Sequence, residues 1–265
     1  MKKQILIKKQ VLILQAVLII FVGSLMCVIF TAFNPPVFTI TDVRGMMEWL
    51  KISPQRAEYW WRFMLSLLCM GVVPFAVGKF MGLSMRNMGI SSGKSFITQP
   101  LFLIALPVAF LIGAIGAASP DLSSYYPYAT DLTEIVRQNG LIHLAGHLAA
   151  YFFLYYLPWE FFFRGFMLFP FVLVAEDLRS TVPRDSSAHQ GATMMLACAV
   201  LFQTIPSTML HFGHPLSEMI SAIPAGMVFG YIAYKAKSIV PPLLLHACVG
   251  FGTDTFIILR ALRVS

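Results

Sequence analysis

Charged residues are scarce in this chain, and their scarcity excludes an ordinary water-soluble domain. Asp, Glu, Lys and Arg together make up 12% of the 265 residues, whereas about one quarter is usual in soluble domains. Hydrophobic residues make up 58%, and the mean hydropathy is +0.75. We therefore predict an integral, multi-pass membrane protein that is in contact with the lipid bilayer.

Neither the cysteines nor the basic residues form a cluster. The four cysteines stand singly in apolar segments, at Cys27, Cys69, Cys198 and Cys248. Because they form no CxxC pair, they indicate neither a disulfide framework nor a zinc ribbon. The formal net charge of +7 comes from short segments that flank apolar runs, as the positive-inside rule expects. We therefore predict no nucleic-acid partner.

Long apolar runs recur along the whole chain. The first, Val11 to Phe33, contains no charge and exceeds the ~20 residues that a bilayer core requires. It is also longer than the apolar region of a signal peptide, so we interpret it as a retained anchor. Six further runs lie at about residues 60–82, 97–118, 141–174, 191–210, 216–234 and 239–259. The pattern predicts an all-α, polytopic transmembrane helix bundle of about seven to eight spans, because the 141–174 run is long enough to be two pieces.

The basic residues near the N-terminus indicate an orientation. Four lysines precede the first apolar run, at Lys2, Lys3, Lys8 and Lys9. Basic segments next to a membrane helix stay on the cytoplasmic side. The N-terminus is therefore expected in the cytoplasm.

Ionisable side chains interrupt three of the apolar runs. Each costs at least ~2.5 kcal/mol at the membrane centre, so each requires a partner or a function. Glu160 precedes Arg164 by four residues, which puts the two on one helix face. His211 and His246 lie in two later runs. We predict that these residues meet in one hydrated cavity, where a carboxylate activates water and the imidazoles stabilise an oxyanion.

Two further acids extend this set as supporting polar residues. Glu218 follows His211 by seven residues, and Asp254 follows His246 by eight. Both spacings correspond to about two helical turns, although Pro215 interrupts the first. These acids are expected to supply polar contacts to the two histidines.

The residue types are also compatible with a bound metal ion. Two imidazoles and a carboxylate are a known zinc set, and four residues can be drawn as its ligands: His211, His214, Glu218 and His246. His143 and His147 lie one turn apart but lack the glutamate of HExxH, so we interpret them as packing or pore-facing residues. No cofactor is assigned with certainty, and zinc stays a possibility.

Four short motifs follow one another in the second half of the chain. Residues 159–165 read Trp-Glu-Phe-Phe-Phe-Arg-Gly, His211 closes a second motif, Gly226 and Gly230 form a third, and His246 opens a fourth. In order and spacing they resemble the CPBP family of intramembrane endopeptidases, which comprises CAAX proteases and bacteriocin-processing proteins. The family motifs are Glu-Glu-x-x-x-Arg, Phe-x-x-x-His, a Gly-spaced helix, and His-x-x-x-Asn or Asp. The resemblance implies hydrolysis of a membrane protein or lipid-anchored peptide.

The chain departs from the family motifs at three positions. Trp159 stands where the family has its first glutamate, the residue usually assigned to activate water, while Ser207 replaces Phe and Gly250 replaces Asn or Asp. Either Glu160 takes over as the base, with a later acid supplying the missing contacts, or the fold persists as an inactive scaffold or chaperone. A proton-coupled transporter is the third reading, and no duplicated half supports it.

The favoured reading is an active peptidase with a core over residues 141–259. In it, Glu160 takes a proton from water, His211 assists, His246 steadies the oxyanion and Arg164 orients the glutamate. Residues 1–140 would supply N-terminal transmembrane helices and loops, and residues 260–265 a C-terminal tail.

Overall fold

The computed structural model describes residues 2–35 and 53–264, with side chains for 11–35 and 53–263. All regular secondary structure in these ranges is helical, which confirms the all-α class. The side chains of the four N-terminal lysines lie outside the described part. The division of the chain into three parts stays a prediction.

Within the described residues, seven long helices coincide with the seven apolar runs. They are α1 (Lys2–Phe33), α2 (Pro54–Phe80), α3 (Pro100–Gly116), α4 (142–181), α5 (Ser187–Met209), α6 (Leu216–Ala236) and α7 (Val240–Val264). Shorter helices lie in the connections, at Arg86–Met88, Lys94–Ile97, Pro120–Tyr125 and Leu132–Asn139. The apolar pattern therefore located the long helices correctly.

Not every long helix meets the length and composition of a membrane span. In the described part of the chain, five helices do so: α1, α2, α5, α6 and α7. Helix α3 is apolar but has only 17 residues, and α4 is irregular. The chain is an integral membrane protein, and the total of seven to eight spans stays a prediction.

Helix α4 is one continuous helix rather than two pieces, but its turns alternate between α and π geometry. Pro158 lies in a short α-helical stretch between two π segments. Because proline has no backbone N–H, it cannot donate the hydrogen bond that a regular α-helical turn would require at this position. Turns of π geometry are often found at functional sites. The successive segments are Ile142–Tyr151 (α), Phe152–Tyr156 (π), Leu157–Glu160 (α), Phe161–Leu168 (π) and Phe169–Thr181 (α).

Aromatic side chains of α4 form the centre of the largest hydrophobic core. Phe162, Phe163 and Phe166 have no solvent exposure, so they are packing residues rather than lipid-facing ones. Phe63 of α2 stacks on Tyr151 of α4, with ring centroids 5.4 Å apart. Burial of such large apolar side chains holds α4 in the middle of the bundle.

Two glycine contacts fix α7 close to α3. A Cβ atom at Gly113 would overlap the backbone of Val249, and one at Gly252 would overlap the backbone of Phe110. The two helices can approach this closely only because neither position carries a side chain. The contact fixes the stretch of α7 that follows His246.

The two spaced glycines of α6 allow it to pack closely against α5. A Cβ atom at Gly226 of α6 would lie 2.9 Å from the Thr204 side chain, and one at Gly230 would lie 2.7 Å from Gln203. The buried Gln203 amide donates to the carbonyl of Gly226 at 2.9 Å. Helices α5 and α6 therefore pack tightly next to the connection that carries His211.

Candidate active site

Glu160 is the centre of a buried polar cluster that joins α4 and α7. Its Oε1 atom lies 3.2 Å from Nη1 of Arg164, one turn along the same helix. The same oxygen accepts a hydrogen bond from Nδ1 of His246 at 2.7 Å. Glu160 contacts Arg164 as predicted, and it also contacts His246, as the prediction of a shared site requires.

The Glu160 cluster determines how His246 is presented. Because Nδ1 is bound to the carboxylate, Nε2 is the ring nitrogen that remains for another partner. The His246 side chain is partly exposed, whereas that of Glu160 is 0% exposed. The buried Glu160 carboxylate therefore fixes the orientation of the His246 ring, an arrangement also found between the Asp and the His of a Ser-His-Asp triad.

A cavity of about 430 Å³ lies beside this cluster. Arg164, His211, His246, Glu218 and Asp254 all contribute to its wall, and Glu160 is not among the lining residues. Both histidines and both supporting acids therefore share one cavity. This volume lies within the usual range of ligand sites.

Glu218 belongs to a second polar cluster on the cavity wall. Its Oε1 atom accepts a hydrogen bond from the Tyr126 hydroxyl at 2.8 Å and lies 3.1 Å from Nδ1 of His214. Nε2 of His211 is 3.9 Å from the same oxygen. No local pattern relates Tyr126 to Glu218, because Tyr126 lies in the connection between α3 and α4, far from Glu218 along the chain.

The prediction that His211 lies within an apolar run is wrong, because the helix ends at Met209 and His211 lies in the connection between α5 and α6, outside the candidate spans. Its Nδ1 donates to the carbonyl of Ser207 at 2.7 Å, which leaves the lone pair of the neutral ring on Nε2. Burial lowers the pKa of His211 to about 4, and the neighbouring His214 adds to the effect. His211 is therefore neutral at pH 7 and can accept a proton.

Asp254 lies on the cavity wall but pairs with a histidine that was not expected as its partner. Its Oδ2 atom lies 2.8 Å from Nε2 of His147, and Nδ1 of His147 lies 3.0 Å from the Tyr59 hydroxyl. Tyr59 and His147 line a second cavity of about 330 Å³. The expectation that Asp254 supports His246 is not met by any hydrogen bond that the structure describes.

At two of the three positions that depart from the family motifs, aromatic side chains occupy the space beside the site histidines. The indole ring of Trp159 lies edge-on to the imidazole of His211, with ring centroids 5.5 Å apart. A Cβ atom at Gly250 would overlap the hydroxyl of Tyr156, whose ring lies 4.8 Å from that of His246. The space that a longer side chain at position 250 would require is therefore occupied by a tyrosine from α4.

The residues drawn as zinc ligands do not assemble into a metal centre. No group of three or more His, Cys, Asp or Glu side chains in the described ranges has the geometry to hold a metal ion. His246 is bound to Glu160 rather than to the cluster of His211, His214 and Glu218.

The fold is that of an all-α membrane protein with a polar cavity among its helices. Residues 142–252 match the family model described as type II CAAX prenyl endopeptidase Rce1-like. The predicted resemblance to the CPBP family is thereby confirmed over that segment, which contains α4 to α6 and the part of α7 that carries His246. A search of curated proteins found no match, and neither did a search of solved structures.

Proposed function

We propose that this protein is an intramembrane endopeptidase that hydrolyses a peptide bond of a membrane-associated protein or lipid-anchored peptide. One observation carries the proposal: the Glu160–His246 pair lies within the matched segment, and His246 shares its cavity with His211. An acid-supported imidazole that shares a cavity with a second imidazole suits hydrolysis by activated water.

In the proposed mechanism, His246 stabilises the negative charge that develops on the substrate oxygen. When the ring carries a proton on both nitrogens, Nε2 donates to the oxyanion and the Glu160 carboxylate offsets the ring charge. Arg164 holds Glu160 in place through the 3.2 Å contact. Neutral His211 assists the activation of water through Nε2. Glu160 as the direct base stays a prediction, and its complete burial favours the role of a positioning residue.

The surroundings of the cavity support a substrate with an apolar segment. Tyrosines and Trp159 contribute large apolar surfaces to the wall, and α3 and α6 add aliphatic ones. A peptide that is tethered to the bilayer, or that is part of it, would reach such a cavity between helices. We further propose that the N-terminus is cytoplasmic, because four lysines precede the first apolar run, Val11 to Phe33.

Two other readings make different predictions in the same assays. An inactive scaffold is favoured by Trp159 and Gly250, and it predicts no cleavage of any peptide. A proton-coupled transporter is favoured by the hydrogen-bonded chain from Tyr59 to Asp254, because that chain joins two cavities. It predicts a proton flux in liposomes that Asp254→Asn abolishes.

The test is cleavage of membrane-tethered peptides by the purified protein in liposomes, with products identified by mass spectrometry. The library includes peptides with and without a C-terminal lipid. His246→Ala and His211→Ala should each lower the rate at least about 100-fold, while the exposed control Glu134→Gln should leave it unchanged. Cleavage that survives both histidine substitutions would exclude this site, and no cleavage by the wild type would favour the scaffold.

A further inference from the structure

The cavity contains an acid that the family motifs do not include. We propose that Glu218 is the general base that activates the attacking water, in place of the carboxylate that Trp159 has displaced. The inference rests on the proposed peptidase function and assigns a further catalytic residue to it. Glu160 then keeps the separate role of positioning His246.

Access to the cavity separates the two glutamates. The Glu218 side chain is 21% exposed and lines the cavity. Glu160 is completely buried, does not line the cavity, and already contacts Arg164 and His246 through Oε1. A general base has to come within hydrogen-bond distance of the water it deprotonates, and Glu218 alone of the two is in contact with the space where that water would lie.

Asp254 is the other acid on the cavity wall, and its contacts make it a weaker candidate. Its side chain is only 1% exposed, and Oδ2 is held by His147 at 2.8 Å. The His147 ring is buried as well and is held by Tyr59 on its other nitrogen. Asp254 is therefore held in a closed hydrogen-bonded chain, whereas Glu218 borders open space.

The contacts of Glu218 hold one carboxylate oxygen and leave the other without a protein partner. Tyr126 and His214 both approach Oε1, and Oε2 has no hydrogen-bond partner among the described residues. Glu218 also lies in the first turn of α6, where the backbone N–H groups favour a negative charge. Oε2 is itself buried, so Oε1 is the oxygen through which Glu218 is held by Tyr126 and the one that lies 3.9 Å from Nε2 of His211.

His211 faces Glu218 across a gap that suits one water molecule. Nε2 of His211 and Oε1 of Glu218 are 3.9 Å apart, too far for a direct hydrogen bond. Both atoms are acceptors in the protonation states described above, so neither can donate to the other. A water that donates one hydrogen to each satisfies both, and its lone pairs remain directed away from them for attack.

The proposed reaction balances with water and the peptide as the only reactants. Glu218 takes a proton from water, and the resulting hydroxide oxygen bonds to the carbonyl carbon while the C=O electron pair moves to the oxygen. Nε2–H of His246 donates a hydrogen bond to that oxyanion. When the intermediate collapses, the C–N bond breaks and the amine leaves with the proton that Glu218 held. The products are a carboxylic acid and an amine.

The first experiment compares Glu218→Gln with the wild type and with Glu134→Gln, an exposed control that also removes one carboxylate. We expect kcat to fall at least about 100-fold in Glu218→Gln while KM changes little, and no change in the control. Glu218→Ala supplemented with formate should recover part of kcat, because a small carboxylate fits the space that the side chain leaves. An unchanged kcat in Glu218→Gln would overturn the inference and leave the peptidase function standing.

The second experiment moves the carboxylate to the position that the family motif uses. Trp159 contacts His211, so Trp159→Glu would place an acid beside the same imidazole. The double variant Trp159→Glu/Glu218→Gln should have a kcat at least about 10-fold higher than Glu218→Gln alone. Size-exclusion chromatography checks that both variants are folded. If the wild type cleaves nothing and Trp159→Glu alone creates activity, Glu218 is not a base. If neither protein cleaves, the peptidase function itself fails.

Discussion

Glu160 and Glu218 are both acids paired with histidines at one cavity, yet their surroundings differ in kind. Glu160 is enclosed and does not line the cavity, and its two described partners, Arg164 and His246, stand between it and that space. Glu218 borders the cavity and is held by a tyrosine and a histidine from connecting segments. Membership of a family motif and access to the cavity are therefore separate properties of an acid in this protein.

The largest expected difference between the two glutamates is in stability. Glu160→Ala leaves the buried Arg164 charge without compensation, so the free energy of unfolding should fall by about 3–5 kcal/mol. Glu218→Ala leaves Tyr126 and His214 without their carboxylate partner beside a cavity that water can enter. The free energy of unfolding should therefore fall by only about 1 kcal/mol. Thermal unfolding in detergent measures both. The double variant Glu160→Leu/Arg164→Leu should recover most of the loss, and equal losses in the two single variants would contradict the contrast.

Asp254 should behave like Glu160 in this comparison, because it is equally enclosed. Asp254→Ala removes the partner of the buried His147 ring, and we expect the free energy of unfolding to fall by about 1.5–3 kcal/mol. Tyr59→Phe removes only the hydroxyl that bonds the other nitrogen of His147, and the free energy of unfolding should fall by about 1 kcal/mol. The same unfolding assay applies. A loss for Asp254→Ala no larger than that for Tyr59→Phe would show that Asp254 resembles Glu218 instead.

Restoring the family residue at position 250 tests the side of the cavity next to Glu160. Gly250→Asn forces a side chain into the space of the Tyr156 hydroxyl, and overpacking of this kind costs about 1–3 kcal/mol. The double variant Tyr156→Ala/Gly250→Asn should be more stable than Gly250→Asn alone, because the space has been emptied. A double-mutant cycle of unfolding free energies measures the coupling. Additive losses would mean that the two positions do not compete for space.

The smallest expected effect is a pH dependence on the Glu218 side, from His211. Its pKa of about 4 in the folded protein lies below its ordinary value of 6.5, so the unfolded chain binds more protons between these pH values. Stability should therefore fall as the pH falls from 6.5 towards 4, by less than about 1 kcal/mol between pH 7 and pH 6. Unfolding midpoints measured over this range, with His211→Gln as a control, check the sign. A rise in stability on acidification that His211→Gln abolishes would contradict it.

Features that depend on neighbouring residues in one helix could be predicted from the sequence. The apolar runs located the long helices, and the spacing of Glu160 and Arg164 was sufficient to predict their contact, because residues four apart share a helix face. The cost of placing ionisable side chains in apolar runs led to the prediction that His211 and His246 share the site of Glu160, and the resemblance over the second half agreed with it.

Contacts between distant segments could not be predicted in this way. Nothing in the local pattern relates Tyr126 to Glu218 or His147 to Asp254, because these pairs are brought together by the packing of different helices and connections. The overlap of Tyr156 with the space beside Gly250 has the same origin. A missing motif residue therefore says little about a site until the side chains that occupy its place are known.

The alternating turns of α4 also give this helix an uneven tolerance of insertions and deletions. Each residue advances an α-helix by about 100°, so removing one from Leu157–Glu160 would rotate the preceding His147 away from the face that meets Asp254 while Glu160 stayed in place. A π segment holds more residues per turn, and Phe152–Tyr156 can give up one residue by tightening to ordinary α geometry. The length of the chain between the two polar clusters, and not only its residue identities, thus determines whether both clusters can form at once.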